Sequence, residues 1–259
     1  SQFMFRNALW RHADKTAVVV GGRSYSYREL DELSTRLAAQ LRGLGLNKGD
    51  RLAIALRNCV EFAITDLAIL KLGAVKVPQN EMLSRSDVSY MIGHSGARLL
   101  VVHGSLKDKL DKAELATTAL ADIVEVDDLG VGVDVGHRDW QQLLAEPAVE
   151  FEWGAVEPDD AAFILYTGGT TGRSKGVMHT HRAMMINGLT HIVHGEIAET
   201  EKLLLTSPLP HSAGFFLQTA FLQGATVHVH ARFDPLAVLD AISRDKVTWT
   251  FMVPTMIYR

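Results

Sequence analysis

The feature that most constrains this chain is an alternation: short apolar runs of strand length are separated by stretches whose apolar residues recur at helical spacing. The clearest helix covers residues 27–44, where Leu30, Leu33, Leu37, Leu41 and Leu44 form one stripe. Ser26-x-x-Glu29 opens it as a capping box, and Gly43 and Gly45 close it. A strand over 51–56, a helix over about 59–72 capped by Asn58, and a strand over 74–77 stopped by Pro78 follow. The rhythm continues with a helix around 87–94, a strand over 98–102, a helix around 105–118 and a strand over 122–126.

Residues 127–158 are richer in Gly, Asp and Glu and hold the short apolar group Trp140, Leu143 and Leu144, so they read as a connecting excursion. Order resumes with a buried strand over 161–166, a loop over 167–176 and a helix over about 182–194. Next come a strand over 203–207, a helix around 215–222, a strand over 225–229 and a helix with Asp234 at the N-cap and Pro235 in its first turn. A strand over 247–253 leads to Pro254, placed to open a further helix. Each crossover helix must cover a sheet face, so the pattern predicts an α/β fold with mainly parallel sheets covered by helices.

Partners have to be argued from sites. The net charge of -4 provides no broad basic field for nucleic acid or anionic membrane. The single cysteine, Cys59, excludes an internal disulfide and every cysteine-based zinc pattern, and reads as core filler. No run of about 18 apolar residues spans a bilayer, and the N-terminus lacks the pattern of a secretion signal. A soluble, cytoplasmic protein without an integral membrane segment is expected, and nothing specifies an oligomeric state.

The most specific segment is YTGGTTGRSKGV at 166–177, in which a buried strand feeds a loop containing Gly168, Gly169, Gly172 and Gly176, Thr167, Thr170 and Thr171, and Lys175. Glycines let backbone N–H groups approach an anion, hydroxyls donate further hydrogen bonds, and an ammonium supplies a point charge for phosphate oxygens. Together they suit a polyphosphate. A plain glycine turn needs only one or two such residues. A Walker P-loop requires Gly-Lys-Ser/Thr in succession, whereas Arg173 and Ser174 separate Gly172 from Lys175.

This segment resembles the signature loop of the adenylate-forming superfamily, which comprises acyl- and aryl-CoA synthetases, nonribosomal adenylation domains and firefly luciferase. That loop reads approximately Tyr-Thr-Ser-Gly-Thr-Thr-Gly-x-Pro-Lys-Gly. The match covers Tyr166, Thr167, Gly169, Thr170, Thr171, Gly172, Lys175 and Gly176; Gly168 replaces the usual Ser or Thr, and Ser174 the usual Pro. The similarity extends over essentially the whole chain. It includes the Lys48-Gly49-Asp50-Arg51 turn, NCVEF, LKLGAVKVPQN, SPLPHSAGFF at 207–216 and the closing VTWTFMVPTMI.

The resemblance implies an N-terminal domain built from two flavodoxin-like lobes, lobe one over about 51–180 and lobe two over about 1–50 plus 181–259. The small C-terminal domain and several catalytic motifs would lie downstream, so this chain alone is expected to be inactive. It implies ATP-dependent activation of a small-molecule carboxylate, a fatty or aryl acid, to an acyl-adenylate and then an acyl-CoA. ATP, Mg2+ and coenzyme A take part. Thr167, Gly168, Gly169, Thr170, Thr171, Gly172 and Lys175 would hold the phosphates, Thr167 would lie near the magnesium, and His211, Gly214 and Phe215 would border the acid. Lys175 and His211 are the catalytic candidates. Two other readings share these residues: an adenylation enzyme that loads a carrier protein, and a nucleotide-binding module without acyl chemistry.

Three further groups have plainer readings. His179 with His181, His191 with His194, and His228 with His230 are spaced to bring rings together for a metal, but no cysteine or carboxylate cluster accompanies them. Phe215, Phe216 and Phe221 would line an acyl tunnel or pack a helix into the core. The charges from Arg36 to Arg42 read as a solvated face.

Overall fold

The computed structural model describes residues 1–127, 136–146, 150–167 and 173–258. They divide into two compact units: Ser1–Glu32 with Arg57–Ala63 and the chain from Met184 onward, and Leu33–Leu56 with Ile64–Ala183. Each unit holds one sheet. The first begins with β1 (Thr16–Val20) and β2 (Arg23–Ser26). The second takes β3 (Arg51–Ala55), β4 (Val75–Pro78), β5 (Leu99–His103), β6 (Asp122–Val126), β7 (Gly136–Asp139), β8 (Ala161–Thr167) and β9 (Lys175–Thr180). The chain then completes the first sheet with β10 (Lys202–Leu205), β11 (Thr226–Val229) and β12 (Trp249–Phe251).

The first sheet has the order β12-β10-β11-β1-β2 and is parallel except for the β1–β2 hairpin. Gly21 and Gly22, at φ +57° and +80°, form its turn, a backbone that side chains with a Cβ resist. This hairpin and the helix Gln2–Arg11 were not expected from the sequence, although adjacent glycines between two β-rich runs are a hairpin signal. Leu204, Val238 and Ala241 form a buried cluster with Phe233, Val247 and Met252 packed against it.

The second sheet has the order β7-β6-β5-β3-β4-β8-β9 and is parallel up to β8, with β9 antiparallel at the edge. Its central strands are buried on both faces, as covered parallel strands must be. Ala53, Leu100, Val102 and Ile123 pack with Ile92 and Leu115 from the covering helices. The expected α/β class with mainly parallel, helix-covered sheets is therefore what the chain forms. No described helix is long and apolar enough to cross a membrane.

The capping box forms as read. The Glu29 carboxylate accepts the N–H of Ser26 at 2.7 Å, and the Ser26 hydroxyl accepts the N–H of Glu29 at 3.1 Å. The helix Tyr27–Gly43 then buries Leu30, Leu37 and Leu41 completely.

Four expectations need correction. Residues 175 and 176 belong to β9, because Lys175 and Gly176 pair with Thr167 and Tyr166 across a hairpin. The helix expected around 105–118 is two pieces, a 3-10 turn Gly104–Lys109 and a short helix Lys112–Leu115. The Asp111 side chain restarts the chain by accepting the N–H groups of Ala113 and Glu114. The arginines of 36–42 do more than face water. Arg36 donates to the Leu144 carbonyl at 2.8 Å, and Arg42 donates to the Glu152 carbonyl at 3.0 Å while stacking on Phe151. They clamp part of the excursion, which itself contains β7 and the helix Trp140–Ala145.

Asn58 is the fourth. The helix starts at Val60, and the buried Asn58 amide does not cap it. Its Nδ2 donates to the carbonyls of Ser207 at 2.9 Å and His230 at 3.0 Å, and its Oδ1 accepts the N–H of Leu209 at 2.8 Å. One side chain thus satisfies three backbone groups, two of them buried, in the segments that follow β10 and β11.

Ser26→Ala should lower stability by about 1 kcal/mol. Hydrogen bonds from Ser26, chiefly its backbone N–H, hold the Glu29 carboxyl below the usual carboxylate range. A depressed carboxylate stabilises the fold above its unfolded pKa and loses that effect as pH falls through the folded value. The advantage of wild type over Glu29→Gln should accordingly be present at neutral pH and fade on acidification, read from urea midpoints. Asn58→Ala strands buried partners and should cost roughly 2–4 kcal/mol in the same assay.

Candidate functional site

The glycine and threonine loop sits at the closed end of the β8–β9 hairpin. Its stems are fixed by register, with Thr167 opposite Lys175 and Tyr166 opposite Gly176. Thr167 and Lys175 are both exposed, so a hydroxyl and an ammonium stand across from each other where the loop leaves and returns. Gly168, Gly169, Thr170, Thr171 and Gly172 lie outside the described residues. A Cβ on Gly176 would lie 2.8 Å from Ile164 Cγ2 and 3.2 Å from Tyr166 Cζ, so this glycine makes room for the Tyr166 ring beside it.

Tyr166 is the point at which the hairpin meets the helix Arg85–Ser95. Its hydroxyl lies 2.8 Å from Nδ1 of His94 and 3.5 Å from the Met91 carbonyl. Its ring meets those of His94 and Tyr90 edge-on, at centroid distances of 5.8 and 6.4 Å. On the other stem, the Arg173 guanidinium lies over the Tyr90 ring at 5.0 Å. Burial, then the neighbouring Tyr90, raises the Tyr166 pKa and keeps the phenol protonated. The helix is fixed at both ends. The Ser84 hydroxyl accepts the Asp87 N–H, and Arg51 donates to the carbonyls of Ser95 at 2.9 Å and Gly96 at 3.0 Å. Sequence reasoning missed Tyr90, His94 and Arg173 as neighbours of the loop. The one hint was an aromatic residue at its head.

In the first unit, the segment that carries His211 follows β10. Residues Leu209–Ala213 make a single wide helical turn, interrupted at His211 by extended backbone, and run into the helix Gly214–Gln223. His211 is exposed, with Nδ1 2.8 Å from the Ser212 hydroxyl. Gly214 is buried, and a Cβ there would lie 2.4 Å from the Leu209 carbonyl oxygen, so the turn can close only over glycine. Phe215 is half-buried. Phe221 is 1% exposed and packs edge-on against Tyr27, which makes it core. Phe216 stacks on His191 at 4.5 Å and adjoins Trp249 and Phe251. Thr167 and Lys175 belong to the second unit, and His211, Gly214 and Phe215 to the first.

The paired histidines have partners of other kinds. His179 stacks face to face on Phe163 at 4.4 Å, and burial lowers its pKa. His228 lies 3.8 Å from Asp245, yet burial outweighs that carboxylate and its pKa is lowered as well. Among the described residues, no three His, Cys, Asp or Glu side chains gather to hold a metal ion. The exposed Thr167 hydroxyl offers one hard oxygen donor, which suits a cation that takes water and phosphate oxygens as its other ligands.

A family model described as AMP-binding enzyme matches residues 5–259. The chain is 35% identical over 250 residues to a feruloyl-CoA synthase of Amycolatopsis sp, covering 93% of this chain and 46% of that protein. It is 32% identical over 243 residues to 4-coumarate–CoA ligase 3 of Oryza sativa subsp. japonica, covering 91% and 42%. A solved structure of o-succinylbenzoate CoA synthetase from Bacillus subtilis, in complex with its acyl-adenylate intermediate, superposes with a TM-score of 0.83 at 28% identity. That match covers 98% of this chain and 62% of the other. The chain thus spans less than half the length of the two curated relatives. With the family model matching from the fifth residue onward and the strand–loop–strand hairpin in place, this chain belongs to the AMP-binding, adenylate-forming enzyme family.

Proposed function

We propose that this chain contributes to a ligase that activates a carboxylic acid with ATP and then passes the acyl group to coenzyme A. The observation that carries the reading is the β8–β9 register, which puts Thr167 beside Lys175 at the mouth of the glycine and threonine loop. In this reading the loop, with Gly168, Gly169, Thr170, Thr171 and Gly172, wraps the β- and γ-phosphates, and the Lys175 ammonium neutralises charge on them. The acid's carboxylate attacks the α-phosphorus, the bond to the pyrophosphate oxygen breaks, and negative charge grows on the departing group. Fixed donors aimed at that group stabilise the transition state more than the ground state. Magnesium carried on the nucleotide would supply further charge neutralisation, with Thr167 as its neighbour from the protein.

His211, Gly214 and Phe215 border the acid in this reading, with His211 on the exposed side of a turn that Gly214 allows to close. Lys175 and His211 are the catalytic residues. The two compact units are the two lobes of the family's N-terminal domain. Relatives named for feruloyl and 4-coumarate put aryl acids first among the substrates to test, with fatty acids next.

The intact gene product, given ATP and a panel of aryl and fatty acids, should release pyrophosphate and AMP only when an acid is present. ADP as product, or turnover indifferent to acid, would overturn the reading. Comparing coenzyme A with a carrier protein as acceptor separates the two acyl-transfer outcomes. Lys175→Ala should lower acid-dependent pyrophosphate release roughly a hundredfold or more, without changing the urea midpoint, because the side chain is exposed.

A further inference from the structure

We infer that Tyr90 and His94 are positioning residues for the loop between β8 and β9, fixing both of its stems on the helix Arg85–Ser95. The inference rests on the reading that this loop holds the phosphates of ATP. The leading stem ends in Tyr166, one residue before Thr167, and is tied to His94 at 2.8 Å. The returning stem carries Arg173, two residues before Lys175, and lies over Tyr90 at 5.0 Å. The two receiving side chains are one helical turn apart, and their rings touch at a centroid distance of 5.1 Å. Both ends of the loop therefore land on one rigid patch.

That patch cannot readily move. Val88, Met91 and Ile92 bury the inner face of the helix, Ser84 caps its start, and Arg51 with the left-handed Gly96 closes its end. A ligand held by Thr167 and Lys175 requires both stems to keep their places, and anchoring each stem beforehand reduces the freedom that binding has to remove. Neither Tyr90 nor His94 needs to touch the nucleotide for this to work. His94 is exposed, so its replacement tests position without opening the core.

Two measurements on the intact gene product decide the matter: amide hydrogen exchange at Thr167 and 175–177, and calorimetric titration with MgATP. His94→Ala and Tyr166→Phe should each speed exchange at these amides and weaken ATP binding about fivefold, the scale of one net hydrogen bond. The double variant should be no weaker than Tyr166→Phe alone, because that change already removes the contact to His94 together with the one to the Met91 carbonyl. His94→Asn, which keeps a hydrogen-bonding atom near the place of Nδ1, should restore part of both effects. Tyr90→Ala should loosen the returning stem first. Exchange that is unchanged in His94→Ala and Tyr90→Ala overturns the inference, as does strict additivity in the double variant. Should exchange respond as described while wild type binds no ATP, the positioning role stands and the phosphate reading falls.

Discussion

The second unit depends on β3 having its peptide groups satisfied out of reach of water. Leu52, Ala53 and Ile54 are fully buried, and the strand is paired with β4 on one side and β5 on the other. An unpaired peptide group there would cost a full desolvation penalty, so the ladder tolerates no gap and no slip of one residue. The register has a reach beyond the sheet. It places Arg51, the first residue of β3, where its guanidinium closes the helix Arg85–Ser95. From that helix Tyr90 and His94 meet the stems of the loop.

The second sheet spends its edge position on the hairpin that bears the loop. β9 is the edge strand, antiparallel to β8 and largely exposed, with Val177 and Met178 facing out at 43% and 66% exposure. A parallel strand in the middle of the sheet has helices above and below it and no room for an anion beside it. The edge position leaves the β9 stem exposed, and the seam to β8 still holds Thr167 and Lys175 in register.

Much of this was legible in the chain because it is local. The capping box of Ser26 and Glu29 spans three residues, and the leucine stripe after it spans a few turns, so periodicity and cap chemistry find both. The strand that leads into the loop was legible for the same reason, since its apolar residues are contiguous. What could not be read are side chains whose partners lie far along the chain. Asn58 before an apolar helical run looks like a cap, and it is a tie to residues 149 and 172 positions later. His94 and Tyr166 are 72 residues apart. No spacing rule links such pairs; only the packing of strands and helices brings them together. The split of residues 104–115 is an intermediate case. Asp111 is a recognisable cap, but the helical pattern on both sides of it conceals the break.

Gly214 shows how a backbone contact can limit the future of a protein. Because a Cβ added here would lie 2.4 Å from the Leu209 carbonyl oxygen, this position admits no substitution unless the preceding turn is rebuilt. A lineage, or an engineer, seeking a different shape beside His211 would have Ser212 and Phe215 to vary, and Gly214 would stay as it is. The turn therefore divides into one frozen position and its adjustable neighbours, and any new shape there would have to be written in the neighbours alone.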